Sequence, residues 1–73
     1  MRDVVITKEP VELYKILKFE GIASSGGEAK LAISEGYVYL NGEVETQKRK
    51  KIVSGDVISI GDEELRVVLE PAK

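Results

Sequence analysis

The sequence predicts an α+β domain in which two helices, a two-helix αL motif, pack on a small mixed β-sheet with an Asn-Gly hairpin. Apolar residues recur at helical spacing in two segments of the first half of the chain. An Asn-Gly pair follows an alternating segment, which predicts a hairpin. Short apolar runs separated by glycine turns fill the remainder and predict strands. The order of strand, helices and strands is typical of the α+β class.

Length and composition predict one small domain over residues 1–73, close to the size at which a hydrophobic core alone is marginally sufficient. The chain has no cysteine and no histidine, which removes disulfides, thiolate metal sites and the usual general base. We therefore expect no metal, no cofactor and no catalytic site. The apolar runs are too short for a membrane span or a signal peptide, so a cytoplasmic location without a membrane partner is expected.

The first segment predicts an edge strand at residues 4–6, followed by a helix. Pro10 suits the first turn of that helix, with Thr7 or Glu9 near its cap. Gly21 should follow its end, because the position after a helix favours glycine. The buried face of this helix is predicted to comprise Leu13, Ile16 and Leu17, with Tyr14 beside them.

A second helix is predicted over residues 26–34, with Gly36 as its stop. Ser25 and Glu28 have the spacing of a capping box at its start. Ala29, Ala32 and Ile33 should form its core side.

The second half of the chain predicts strands joined by turns. Val38 and Leu40 alternate with Tyr37 and Tyr39, so the two pairs should lie on opposite faces of a strand. Asn41-Gly42 then predicts a type I′ turn. Further strands are predicted at residues 43–46, 57–60 and 64–69, with a turn at 54–56 and with the last strand open to pairing at its edge.

The positive charge is concentrated in one place. The net charge is −2, whereas the basic segment, Lys48-Arg49-Lys50-Lys51, carries +4 on an otherwise acidic chain. Four adjacent cations repel one another, and a phosphate backbone would relieve that repulsion and release counterions. We interpret the segment as a binding site for an anionic partner; a solvated loop that aids solubility is the alternative.

The start of the second helix is a second candidate site. Free N–H groups at a helix start suit phosphate, and Gly26 and Gly27 let a backbone approach closely. Taken alone, the segment is better explained as a capped helix start with a flexible entry. Lys30 lies one turn further on. A lone surface lysine is usually just solvated, so Lys30 is a candidate phosphate contact only because of these neighbours.

Two further patterns concern other functions. Tyr37 and Tyr39 are candidates for stacking on exposed bases, although tyrosine is also common in strands. Glu43 and Glu45 are a carboxylate pair on an open hairpin with no evident pocket, so an enzyme is not predicted.

The pattern as a whole resembles the S-four RNA-binding domain, named for the fourth protein of the small ribosomal subunit and also called the αL motif. The match covers residues 21–60, and with the first helix over two thirds of the chain. Residues 25–30 and 44–52 look like the small stand-alone bacterial proteins of the YbcJ and YaaA type. Gly26 and Gly27 depart from the family, which often has arginines there. The resemblance rests on the glycine-ended first helix and on Ser25, Ala29, Ile33, Gly36, Val38, Leu40, Asn41, Gly42, Lys51, Gly55 and Asp56.

The resemblance implies a monomeric module that binds structured RNA, ribosomal or transfer RNA, by shape and phosphate contacts, with a ribosome or an assembly particle as a further partner. The alternative, from another class, is a protein-interaction module whose basic loop docks an acidic partner. Residues implied in RNA contact are Ser25, Gly26, Gly27, Lys30, Asn41, Gly42, Lys48, Arg49, Lys50 and Lys51.

Overall fold

Two helices and seven short strands make up the computed structural model, which describes residues 1–70. This architecture confirms the predicted α+β class and the helix pair on a small mixed sheet. Neither helix among these residues has the length and hydrophobicity to cross a membrane. The elements in chain order are β1 (Arg2–Ile6), β2 (Val11–Glu12), α1 (Leu13–Phe19), α2 (Gly26–Ser34), β3 (Val38–Leu40), β4 (Glu43–Val44), β5 (Lys51–Ile52), β6 (Val57–Ile60) and β7 (Glu63–Leu69).

The main sheet has the strand order β1-β7-β6-β3-β4. β1 runs parallel to β7 at one edge, as predicted for an edge strand, and the other neighbouring strands are antiparallel. β7 lies between β1 and β6, so the prediction that the last strand is open to pairing was wrong. Both of its edges are occupied because β1 returns to it from the other end of the chain.

A second, two-stranded sheet joins β2 to β5. Val11 is paired with Ile52, and Glu12 is paired with Lys51. This pairing corrects the prediction that α1 begins near Pro10. The main chain at Glu12 is extended, with φ −70° and ψ 139°, and α1 begins only at Leu13. Strand pairing of these two residues therefore takes precedence over the helical pattern around them.

The ends of the helices follow the local sequence. Gly21 has a φ of 73°, a left-handed conformation that favours glycine, and it follows Glu20 at the end of α1 as predicted. The Ser25 hydroxyl accepts a hydrogen bond from the Glu28 N–H at 3.1 Å, which confirms the cap of α2. The Glu28 carboxylate accepts a hydrogen bond from the Ser24 hydroxyl.

The core lies between the helices and one face of the sheet. In α1 the buried residues are Leu13, Ile16 and Leu17, as predicted. In α2, Ala29 and Ile33 are buried, whereas Ala32 is only half-buried. The strands complete the core with Val4, Ile6, Val38, Ile52, Ile58, Leu65 and Val67.

The Asn-Gly hairpin has the predicted geometry. Asn41 and Gly42 have φ values of 52° and 87°, and both central residues of a type I′ turn require positive φ. Leu40 and Glu43 pair on either side of this two-residue loop. The returning strand β4 is shorter than the predicted 43–46. After it the Gln47 N–H donates to the Glu45 carboxylate at 3.1 Å, away from the ladder.

Candidate functional site

The basic segment has a fixed main chain. The Lys50 carbonyl accepts a hydrogen bond from the Leu13 N–H at 2.9 Å, and the Lys48 carbonyl accepts one from the Tyr14 N–H at 3.2 Å. Lys51 is held in β5. The side chains of Lys48, Arg49 and Lys51 are exposed, while Lys50 is half-buried. The segment is therefore a defined cationic surface, held by its carbonyls, rather than a free loop.

This arrangement places cations beside the start of α1. The first N–H groups of a helix have no partner within it, and the carbonyls of the basic segment supply partners for two of them. Cations near this positive end of the helix dipole are unfavourable. The Glu12 carboxylate offsets part of that charge, since it lies 3.1 Å from the Lys15 Nζ and 3.8 Å from the Arg49 Nε.

The start of α2 presents a smooth backbone surface. Gly27 is exposed, and a Cβ added there would meet only the Ser25 hydroxyl, at 4.0 Å. A Cβ at Gly26 would make an ordinary contact with the Tyr14 ring at 3.8 Å. Packing therefore does not demand glycine at either position. The N–H groups of Gly26 and Gly27 remain available to a ligand, whereas that of Glu28 is bonded to Ser25.

Tyr14 connects the two parts of the site. Its N–H bonds to the Lys48 carbonyl, and its ring faces Gly26. The Lys30 Nζ lies 4.7 Å from the centroid of the same ring, and the Lys15 Nζ lies at 6.0 Å. The structure thus brings the start of α2 and the basic segment together into one surface, which we call the joined surface: Ser25, Gly26, Gly27, Lys30 and residues 48–51.

The hairpin tip is held by side-chain hydrogen bonds and lies in acidic surroundings. The Asn41 amide donates to the Asp56 carboxylate at 3.1 Å, and its carbonyl oxygen accepts from the Val57 N–H at 2.9 Å. Asn41 therefore ties the hairpin to the start of β6. Three carboxylates surround the adjoining hollow of about 480 Å³, which Lys50 also lines: Glu43, Glu45 and Asp56. Contact of Asn41 and Gly42 with RNA stays a prediction, and the surroundings are acidic.

Residues 4–68 match the family model described as the S4 domain. The chain belongs to the S4 domain family. This finding confirms the resemblance drawn from the sequence.

Similar proteins share most of the length of this S4 domain. The Putative RNA-binding protein YbcJ of Escherichia coli (strain K12) is 50% identical over 58 residues, which cover 80% of this chain and 83% of that protein. The Probable ribosome maturation protein RlbA of Bacillus subtilis (strain 168) is 35% identical over 57 residues, covering 78% of this chain and 80% of that protein.

A solved structure has the same fold as this S4 domain. The solution structure of E. coli YbcJ superimposes with a TM-score of 0.72 and 46% identity, covering 93% of this chain and 87% of that chain. It is described as revealing an αL motif involved in RNA-binding. The αL motif of α1 and α2 is thereby confirmed.

Tyr39 lies on the face of the sheet that points away from the helices. Val38 is buried against the helices, so its neighbour Tyr39, 43% exposed, lies on the opposite face of the sheet. Tyr37, 65% exposed, precedes β3. The structure does not bring Tyr39 together with Lys30 and the basic segment. Base stacking by either ring stays a prediction.

Two residues of the site were not predicted from the sequence. The helical spacing places Tyr14 only beside the core face and predicts no role for Glu12. Tyr14 lies beside the core face of α1 and Glu12 lies in β2 just before that helix, but no local pattern indicates contact with Lys30 or Arg49. Within residues 1–70, no three acidic side chains converge in a way that could hold a metal ion.

Proposed function

We propose that this S4 domain binds structured RNA, ribosomal or transfer RNA, through the joined surface, in association with a ribosome or an assembly particle. The observation that carries the proposal is the position of Tyr14. Its N–H bonds to the Lys48 carbonyl of the basic segment. Its ring lies 3.8 Å from the point that a Cβ at Gly26 would occupy, and the ring centroid lies 4.7 Å from the Lys30 Nζ. The start of α2 and the basic segment, each a weak signal in the sequence, are therefore connected through one residue.

Phosphate contacts are the main interaction that this surface supports. The exposed side chains of Lys48, Arg49 and Lys51 extend from a main chain that is already ordered, so binding does not have to order the backbone. The open N–H groups at the start of α2 offer further donors to phosphate oxygens. Since double-stranded RNA is recognised mostly by shape, phosphate and 2′-hydroxyl contacts, a surface of cations and main-chain N–H groups is suited to it.

Lys30 and the basic segment supply the positive charge of the surface. The family pattern often has arginines where this chain has Gly26 and Gly27. In their place, the glycines let the RNA backbone approach the helix closely. The names of YbcJ and RlbA, which refer to RNA binding and ribosome maturation, support the ligand class and the ribosomal association.

The decisive experiment is recovery of RNA from cell lysate with the parent chain and with a variant that has alanine at Lys48, Arg49, Lys50 and Lys51. Both are compared at about 50 mM and about 200 mM salt. We expect the parent to enrich defined ribosomal or transfer RNAs and the variant to lose them. The fold should persist, because the segment is held by its main-chain carbonyls rather than its side chains.

A matched pair of double variants controls for net charge. Lys8 and Lys18 are exposed lysines outside the joined surface, so Lys8→Ala with Lys18→Ala removes the same charge as Lys48→Ala with Arg49→Ala. Only the second pair should reduce RNA recovery strongly, and the salt slope should fall by about 0.7–0.9 for each lost phosphate contact. Equal losses in both pairs would reject the joined surface. If the chain recovers acidic proteins, and the RNA it recovers does not depend on the basic segment, the protein-interaction module would be favoured.

A further inference from the structure

A groove of about 540 Å³ lies between β1 and α1, outside the joined surface. Val5 and Phe19 line its two sides, with Val11 and Pro10 between them. None of these residues has a role in the function proposed above. Its volume exceeds that of the hollow beside the hairpin tip, and it borders the edge strand β1.

The main chain of β1 is unpaired on the groove side. Within the described part of the chain β1 pairs with β7 alone, and the Ile6 carbonyl accepts a hydrogen bond from the Glu70 N–H at 2.8 Å. In a parallel pair, alternate residues direct both main-chain groups to the neighbouring strand. Val5, next to Ile6, therefore directs its N–H and C=O away from β7. Among residues 1–70 no hydrogen bond uses these two groups.

The sides of the groove are apolar and strongly exposed. Phe19 is 71% exposed and Val5 is 56% exposed, which is unfavourable for large apolar side chains unless a partner covers them. The remaining charge along the groove is positive. Lys8 and Lys15 line it, and its one carboxylate, Glu12, is paired with Lys15 and with Arg49.

We propose that this groove binds an extended acidic peptide segment of another protein, which adds as a strand to the free edge of β1. Strand addition provides main-chain hydrogen bonds, and pockets for alternate side chains provide selectivity. One apolar side chain of the peptide packs against Phe19 and Val11, and its carboxylates lie near Lys8 and Lys15. A polypeptide fits better than a nucleic acid, because only a polypeptide repeats N–H and C=O groups at the spacing of a strand edge.

The test is selection of phage-displayed random peptides on the intact chain, followed by NMR titration of the enriched peptides. We expect alternating apolar and acidic sequences that shift the amide signals of Val5 and Phe19. Val5→Pro removes the free N–H without removing a bond to β7 and should weaken binding about tenfold or more, whereas Val5→Thr should not. Phe19→Ser, at an exposed position, should weaken binding similarly and covers the case in which Val5→Pro does not fold.

Leu31→Ser is the matched control, since Leu31 is an apolar residue of α2 that is 58% exposed. Peptides that bind equally to the parent and to Phe19→Ser would overturn the proposal, as would enrichment of no acidic sequence. Shifts at Val5 and Phe19 caused by an oligouridine probe but by no peptide would make the groove an RNA site instead. The same shifts appearing with protein concentration alone would identify the occupant as a second copy. Each of these results is independent of RNA binding by the joined surface.

Discussion

The Nζ of Lys30 in α2 lies 4.7 Å from the centroid of the Tyr14 ring in α1. A cation over an aromatic face is attracted by the ring quadrupole, with a gain of about 0.5–1 kcal/mol at exposed sites. Because Lys30 is half-buried, this contact limits the directions its amine can take. The same tyrosine bonds to the Lys48 carbonyl, so the orientation of Lys30 and the position of the basic segment depend on one residue.

Replacing Tyr14 should therefore alter the RNA affinity of the domain. Tyr14→Leu keeps the main-chain bond to Lys48 but removes the ring, and we expect RNA affinity to fall about two- to fivefold. Tyr14→Phe keeps the ring and should bind like the parent. Fluorescence anisotropy with an RNA recovered from lysate measures both. In a double-mutant cycle, Lys30→Ala should remove most of the effect of Tyr14→Leu; additive effects would mean that Tyr14 does not act through Lys30.

Replacing Glu12 should have the opposite effect on affinity. Its carboxylate offsets the charge of Lys15 and Arg49, and it would repel an approaching phosphate. We expect Glu12→Gln to bind RNA a few-fold more tightly and to show a steeper salt dependence. The cost in unfolding free energy should be about 1 kcal/mol or less, because these ion pairs are solvated and each contributes little. Unchanged binding in low salt would show that Glu12 lies outside the contact area.

Ile52 connects the basic segment to the core. It is fully buried, next to Lys51 in β5. Ile52→Ala should lower the unfolding free energy by about 2–5 kcal/mol, through lost burial and the cavity that remains. Urea unfolding measures this, with Val53→Ala as the control, since Val53 is 41% exposed and should cost much less. Similar losses of unfolding free energy in the two variants would contradict the burial of Ile52 in the core.

Asn41 should matter for stability through its side-chain amide. Asn41→Gly keeps a residue that accepts the positive φ of 52° but removes the bonds to Asp56 and to the Val57 N–H. We expect a loss of about 1–3 kcal/mol in unfolding free energy. Thermal unfolding tests this, and RNA affinity measured well below the midpoint then reports any direct contact. A variant as stable as the parent would contradict the structural role of the amide.

Local chemistry determined much of the fold. The buried faces of α1 and α2, the Ser25 cap, the Gly21 helix end and the Asn-Gly turn each depend on residues close together in the chain. These features can therefore be predicted from short segments of the sequence. The basic segment was recognisable for the same reason, as four adjacent cations on an acidic chain.

The arrangement of these elements depends on contacts between distant residues. Arg66 pairs with Asp3 across 63 residues where β7 lies beside β1, and no local pattern specifies that parallel pairing. The short pairing of β2 with β5 overrode the helical pattern around Pro10, because the extended main chain gains ladder bonds there.

By itself, the sequence determined the helices, the hairpin turn and the run of cations, since these follow from neighbouring residues. Only the tertiary structure decided that Tyr14 joins Lys30 to the basic segment and that Glu12 offsets Arg49. Both contacts require α1 to pack against α2 and against β5 at once. Packing geometry of that kind is a property of the whole fold, not of any one segment.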